Sequence, residues 1–320
     1  MPDPRTEIHI WRFMDGKPGH ENQTLGLIRA LEKRVPCSIK EWKVPNGWLP
    51  RLRWRRAWSR EVVIANRPDL ILGAGHLTHT MLLRARRKFG GRSILMMQPS
   101  LPAAWFDLCV VPEHDGVRDR KGIMQVRGVL NPVERSANQS ASQGLILVGG
   151  PCRHVHWNDP AIVEQIHGIL QSTRNTQWTL TTSRRTPDTF LDLLRPADNL
   201  SVIPAAETPS GWVAAQLARC GQVWASGDSV SMLYESLTSG AATGMLEVDW
   251  AGEGKLRQGV KSLIQSGMIT SFANWKLGEP LAPPSSPLAE SQRVADWVLD
   301  HWFPNVGGLP SSPLNEGFPE

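Results

Sequence analysis

Short apolar runs alternate with amphipathic stretches along most of the chain. Residues 7–14 read as a strand. Residues 21–34 read as a helix, because Leu25, Ile28, Leu31 and Val35 recur at spacings of three and four and line one face. A second strand is predicted over 69–72 and a helix over 76–88, followed by short apolar strands over 93–97, 108–111 and 126–130. Runs that are apolar on both faces belong to parallel sheets covered by helices. A polar, serine-rich stretch, 131–143, then interrupts the pattern. Beyond it the alternation restarts, with strands over 145–148, 177–181, 200–204, 223–226 and 244–248, and helices over 160–173, 188–194, 212–219, 230–239 and 255–266. Two successive runs of this kind predict an α/β fold of two Rossmann-like, doubly wound domains facing a cleft, over residues 1–135 and 144–278. A Pro/Ser-rich linker at 280–287 leads to a last amphipathic helix within 288–303, and 304–320 reads as a disordered tail.

The chain has 320 residues, 41% hydrophobic and 20% charged, a balance that excludes wholesale disorder. No apolar run approaches the roughly 18–20 residues a bilayer helix needs. The polar N-terminus lacks a basic segment leading into an apolar one, so no signal peptide is read and a cytoplasmic address is expected. The net charge of +5 favours phosphates, on nucleotides or on anionic lipid. Cys37, Cys109, Cys152 and Cys220 are scattered without a Cys-x-x-Cys pair, which excludes a zinc ribbon or thioredoxin motif and predicts reduced, buried thiols. Nothing in the sequence explains 14 Trp against one Tyr.

The candidate chemistry lies on loops that follow strands. Asp15, Gly16, Lys17, Pro18, Gly19, His20, Glu21, Asn22 and Gln23 join the first strand to the first helix. Two glycines, a lysine and a histidine before a helix N-terminus suit an anionic or hydroxylic ligand, and the spacing is not that of a Walker loop. Gly73, Ala74, Gly75 and His76 follow the second strand in the same way. His76 and His79 have no third metal ligand at a recognised spacing, so no metal is expected. In the second half, Gly149 and Gly150 precede Arg153 and His154. Thr182, Ser183, Arg184 and Arg185 combine hydroxyls with guanidinium forks that pair with phosphate oxygens. Asp228, Ser229 and Ser231 open a helix, where either Asp228 or Ser229 serves as N-cap and exposed N–H groups suit a pyrophosphate, with Glu235 two turns on as a ribose partner. Residues 51–60 hold Arg51, Arg53, Arg55, Arg56 and Arg60 among tryptophans. As a helix, Trp54, Ala57, Trp58 and Val62 share one face and Arg53, Arg56 and Arg60 another. This composition predicts outward or partly buried tryptophans touching an anionic membrane surface. No nucleic-acid motif accompanies the arginines, so no nucleic acid is expected.

The Asp15–Gly16–Lys17–Pro18–Gly19–His20 loop, Gly149–Gly150–Pro151 and the Ser226–Met232 segment resemble a largely bacterial family named after its plant members, the "elongated mitochondria" fission factors. That family is in turn similar to two-domain nucleotide-sugar glycosyltransferases of the GT-B type. The resemblance implies a glycosyltransferase that takes a nucleotide-diphosphate sugar as donor and needs no further cofactor, acting at the cytoplasmic face of a membrane. The donor would lie in the C-terminal half against Gly149, Gly150, Arg153, Ser183, Arg184, Arg185, Asp228, Ser229, Ser231 and Glu235. The acceptor would lie in the N-terminal half near Lys17, Gly19, Asn22, Gln23 and Gly75, with Asp15, His20 or His76 as base and His20 preferred. The final helix would return to the first domain. The plant members imply the alternative, a non-catalytic adaptor. A dinucleotide-dependent epimerase or reductase fits less well, because neither the Gly-x-Gly-x-x-Gly fingerprint nor a Tyr-x-x-x-Lys pair is present.

Overall fold

The computed structural model describes residues 7–45, 47, 58, 66–117, 120–304 and 306. The chain divides into two compact units, Met1–Pro132 with Glu290–Glu320, and Val133–Ala289. In chain order the first run of elements is β1 (Ile8–Met14), α1 (Pro18–Glu32), β2 (Cys37–Lys43), β3 (Leu70–Ala74), α2 (His79–Phe89), β4 (Arg92–Met96), β5 (Leu108–Pro112) and β6 (Ile123–Val126). The second run is β7 (Ser140–Leu147), β8 (Val155–His156), α3 (Asp159–Ser172), β9 (Gln177–Thr181), β10 (Leu200–Ile203), α4 (Trp212–Leu217), β11 (Cys220–Ser226), α5 (Val230–Ser239), β12 (Ala242–Leu246), β13 (Asp249–Trp250), α6 (Lys255–Gln265) and β14 (Thr270–Ser271). The last helix, α7 (Glu290–Trp302), belongs to the first unit.

Each unit is built on a six-stranded parallel sheet. The first runs β2-β1-β3-β4-β5-β6. The second runs β10-β9-β7-β11-β12-β14. In the first sheet the chain passes from β1 to β2 on one side and reaches β3 on the other. In the second, β9 and β10 lie to one side of β7, and β11, β12 and β14 to the other. The strand order therefore reverses between β1 and β3, and again between β7 and β11. Ligand crevices of open α/β sheets form at such reversals, outside the carboxyl ends of the strands.

Side chains of a strand alternate between faces, and the first unit's core divides accordingly. Ile8, Ile10, Leu70, Leu72, Ile94 and Met96 pack with Leu27, Ile28 and Leu31 of α1 and with Val294, Val298 and Leu299 of α7. Trp11, Phe13, Ile71, Leu95 and Cys109 pack on the other face with Met81, Leu82 and Ala85 of α2. Burying Val294, Val298 and Leu299 contributes about 1.5–3 kcal/mol each before chain entropy is counted. An Arg34–Asp296 ion pair at 2.5 Å joins the region just after α1 to α7.

Several expectations change. β2 has no counterpart in the expected elements, because it is an edge strand with Ser38, Ile39, Lys40 and Glu41 exposed, and so carries no apolar run. β6 begins at Ile123, ahead of the expected 126–130, and 188–194 forms a 3-10 helix (Asp188–Leu193). The serine-rich stretch is not wholly a linker, since Ser140 already pairs with Cys220 and its N–H reaches the Arg219 carbonyl at 2.8 Å. Trp58 corrects the outward-tryptophan expectation: it is 0% exposed and packs edge-on against Trp11, Trp42 and Phe89. Its indole therefore has no face for lipid, and the rest of the 51–60 segment, Trp54 included, lies outside the described residues, as does most of the 304–320 tail. The tryptophans acquire a role in these clusters, with a second one at Trp224, Trp275 and Phe272. Cys109 and Cys220 are buried, whereas Cys37 and Cys152 are half-buried.

Candidate functional site

The candidate residues gather into two clusters, one at the strand-order reversal of each unit. In the first unit, Asp15 follows β1 and its side chain is fully buried. Its Oδ1 accepts the Lys17 N–H at 3.2 Å, and its Oδ2 lies 2.8 Å from His20 Nδ1. An ionised carboxylate only accepts, so Nδ1 carries the proton and Nε2 is left as the basic nitrogen. Gly75, at the end of β3, holds φ at +77°, and a Cβ there would collide with the His20 ring and sit 3.2 Å from Asp15 Oδ2. Only glycine allows the ring to lie this close to the backbone. The loop is short because Pro18 starts α1 one residue after its N-cap Lys17. Arg12 anchors it from β1, donating to Thr24 Oγ1 at 2.8 Å, the Glu21 carbonyl at 2.6 Å and Glu41 at 2.5 Å.

The expected neighbours of this pair separate into different roles. Lys17 and Gly19 are exposed, and a Cβ on Gly19 would meet nothing, so no close approach requires that glycine. Gln23 is buried and turns its amide back to the Gly19 carbonyl at 3.3 Å. Asn22 is half-buried in the first turns of α1. His76 is exposed in the turn after Gly75. His79, at the start of α2, is buried, lies 3.2 Å from Ser100 Oγ and meets the edge of Phe106. Burial first, and the nearby His76 second, push its titration below 6.5.

In the second unit, three loops interlock at the carboxyl ends of the adjacent strands β7, β9 and β11. The Asp228 side chain is fully buried. Its Oδ1 accepts from Ser226 Oγ at 2.6 Å, and its Oδ2 accepts from the Gly150 N–H at 3.1 Å and from Arg185 at 2.7 Å. Ser226 Oγ in turn accepts the Gly149 N–H at 2.7 Å. Ser183 Oγ donates to the Gly149 carbonyl at 2.9 Å, and Arg185 donates to the Gly150 carbonyl at 2.7 Å. A Cβ on Gly149 would strike the Asp228 carboxylate, and one on Gly150 would strike the Arg185 carbonyl. The glycine pair is thus required by the neighbouring loops.

This network resolves the choice of N-cap. Asp228 is turned away from α5 onto the Gly149–Gly150 loop. Ser229 is the N-cap residue and makes no side-chain cap bond. The first N–H groups of α5, unpaired within the helix by construction, are left without a side-chain acceptor from the cap. Ser231 is exposed on the first turn, and Glu235 is half-buried two turns along. Arg185 is engaged as a brace, whereas Arg184 is exposed beside it. Arg153 is exposed and donates to His154 at 3.0 Å. Ser226, and Thr186, which accepts the Ser183 N–H at 2.8 Å and donates to the Gly149 carbonyl, belong to the network but are absent from the predicted set. Their signal was a hydroxyl at, or just beyond, the end of a buried strand.

Two parallel-sheet α/β domains give the chain the fold seen in GT-B nucleotide-sugar enzymes. It is similar to the UDP-GlcNAc 2-epimerase of Methanocaldococcus jannaschii, with TM-score 0.58 and 13% identity over 92% of this chain and 99% of that one. It is also similar to MurG of Acinetobacter baumannii, with TM-score 0.52 and 13% identity over 92% and 99%. UGT2 of Phytolacca americana, in complex with UDP-2-fluoro-glucose and pterostilbene, gives TM-score 0.53 and 11% identity over 92% and 90%. At this identity the likeness is one of fold. More particularly, the chain belongs to the family described as mitochondrial fission ELM1, whose model matches residues 18–302. Among curated proteins it resembles the uncharacterized protein RP120 of Rickettsia prowazekii (strain Madrid E), at 19% identity, with 73% of this chain and 81% of that protein covered.

Proposed function

We propose that the protein binds a nucleoside-diphosphate sugar at the start of α5 and transfers its glycosyl group to an acceptor hydroxyl. The observation that carries this reading is the uncapped helix N-terminus at Ser229, from which the Asp228 carboxylate has been drawn away by Gly150 and Arg185. A diphosphate there would accept from the helix N–H groups and from the hydroxyls of Ser229 and Ser231, with the Arg184 guanidinium beside it. Glu235 would take ribose hydroxyls. The resemblance to nucleotide-sugar enzymes supports the choice of ligand, and UDP-sugars are the first to test.

In the first unit, Asp15 holds His20 in the tautomer whose Nε2 accepts a proton. The transfer needs a base to take the acceptor's O–H proton as the acceptor oxygen bonds to the anomeric carbon, and that nitrogen is the first unit's candidate. The bond from that carbon to the diphosphate breaks, and the departing oxygen keeps the electron pair. Its charge is offset by the helix N-terminus, which is aligned before the reaction begins. Trp58, as a core residue, lends no support to docking on a membrane.

Thermal-shift screening of nucleoside diphosphates and their sugars tests the reading. A ligand at 100 times its dissociation constant stabilises by about 2.7 kcal/mol. Arg184→Ala and Glu235→Ala are each expected to weaken the best ligand roughly tenfold or more. Binding without any glycosyl transfer or sugar turnover would favour the adaptor role. No binding at millimolar ligand would defeat the proposal.

A further inference from the structure

A cavity of the first unit lies away from the Asp15–His20 pair. It encloses about 630 Å³. Its wall includes Arg92, Leu108 and Ile123, which are the first residues of β4, β5 and β6. Asp15 and Gly75, in contrast, follow the last residues of β1 and β3. A strand of five residues spans about 16 Å at roughly 3.3 Å per residue, so the cavity sits at the opposite end of the sheet from the candidate acid–base pair.

Its lining joins two chemistries. Trp297, His301 and Trp302 of α7 supply aromatic rings, with His301 stacked on Trp297 at 4.4 Å and Trp302 edge-on to Trp297 at 5.5 Å. Arg92, Arg120 and Lys121 supply positive charge, the Arg92 guanidinium lying 5.5 Å from the Trp302 ring centre. The one carboxylate among the described wall residues, Asp107, is already committed. It takes the Ser93 N–H and hydroxyl at 2.8 and 2.9 Å, and pairs with Arg86 at 2.8 Å and Arg92 at 3.4 Å. Neither Arg120 nor Lys121 has an acidic partner among the described residues. The cavity thus combines an aromatic, apolar interior with two cations at its edge that no acidic side chain among the described residues pairs.

We infer that this cavity is a second ligand site, for a planar aromatic anion whose ring system lies among Trp297, His301 and Trp302 and whose phosphate or carboxylate meets Arg120 and Lys121. Rings seat flat bodies through stacking and edge contacts, and cations at the rim fix the charged end. The inference stands apart from the nucleotide-sugar reading, because it uses none of the residues at the strand-order reversals.

Isothermal titration of the full chain with naphthyl phosphate, dodecyl phosphate and inorganic phosphate tests it. Naphthyl phosphate is expected to bind, and to bind at least tenfold more tightly than either of the others. The Arg120→Glu/Lys121→Glu double variant alters only exposed side chains and should keep the wild-type melting temperature while losing about tenfold in affinity. Trp302→Ala should weaken the same ligand, and Arg184→Ala in the second unit should leave it unchanged. The inference is overturned if naphthyl phosphate does not bind, or if inorganic or dodecyl phosphate binds as well. It is equally overturned if the charge-reversed and Trp302→Ala proteins both bind naphthyl phosphate like the wild type.

Discussion

Asp15 and His20 meet at 2.8 Å across the start of α1, and the His20 ring occupies the space that a side chain on Gly75 would need. The carboxylate and the glycine follow the ends of two neighbouring strands, and the ring comes from the first turn of α1, which starts directly after one of them. Asp15→Asn keeps the shape but removes the charge that holds Nδ1–H. Turnover of the glycosyl donor should fall about a hundredfold or more, while nucleotide affinity, read by titration, should stay within twofold of wild type.

Gly75→Ala should damage the same pair by another route. The new Cβ must displace the His20 ring and also adopt a φ of +77°. A loss of about 1–3 kcal/mol in urea unfolding is expected. Turnover should drop with it even where the protein is fully folded.

Gly149→Ala places a methyl group on the Asp228 carboxylate, which Ser226, Gly150 and Arg185 hold in place. The carboxylate cannot yield without stranding a buried charge. Destabilisation of roughly 2–4 kcal/mol is expected by denaturant titration. Gly19→Ala, where a Cβ meets nothing, should change stability by less than about 0.5 kcal/mol.

His79 gives the fold a pH dependence of known sign. Burial lowers its folded titration below 6.5, so the unfolded chain binds the proton more readily. Its contribution is complete above 6.5 and is lost as pH falls from there toward the folded value. The urea midpoint should therefore drop as pH falls below 6.5, and His79→Gln should flatten that part of the profile.

Burial pushes the Cys37 and Cys109 thiols up to about 12 and that of Cys220 up to about 11. The thiolate is the reactive form, so all three should resist iodoacetamide in the native protein near pH 8 and react after unfolding. Mass spectrometry of the labelled peptides checks this.

The elements most legible in the sequence were those with both faces covered. The apolar run at 108–111 coincides with nearly all of β5, the alternating strand over 177–181, with Trp178 and Leu180 buried, is β9, and the helix over 230–239 is α5. β2 was illegible because only Trp42 of its seven residues is buried. Ser140 to Gln143 looked like a linker because hydroxyls and amides on a half-exposed strand end carry no hydrophobic signal. At the site, loop chemistry pointed to the Asp15–His20 and Gly149–Gly150–Asp228 clusters. It left open whether Asp228 capped the helix or turned aside, since that depends on Ser226 and Arg185 arriving from elsewhere in the fold. Trp58 misled because an arginine-flanked tryptophan has the same sequence pattern whether its ring meets lipid or the core.

The central claim is that the uncapped start of α5 receives a diphosphate, and Ser229→Asp tests it most directly. An aspartate at that N-cap supplies the missing side-chain acceptor and a favourable charge, so the folded protein should be as stable as wild type or gain about 0.5–1 kcal/mol. The same carboxylate would stand where the phosphates accept, so the affinity for UDP or the best nucleotide found by screening should fall more than tenfold. A variant that is equally stable and binds the nucleotide as tightly as wild type would contradict the account.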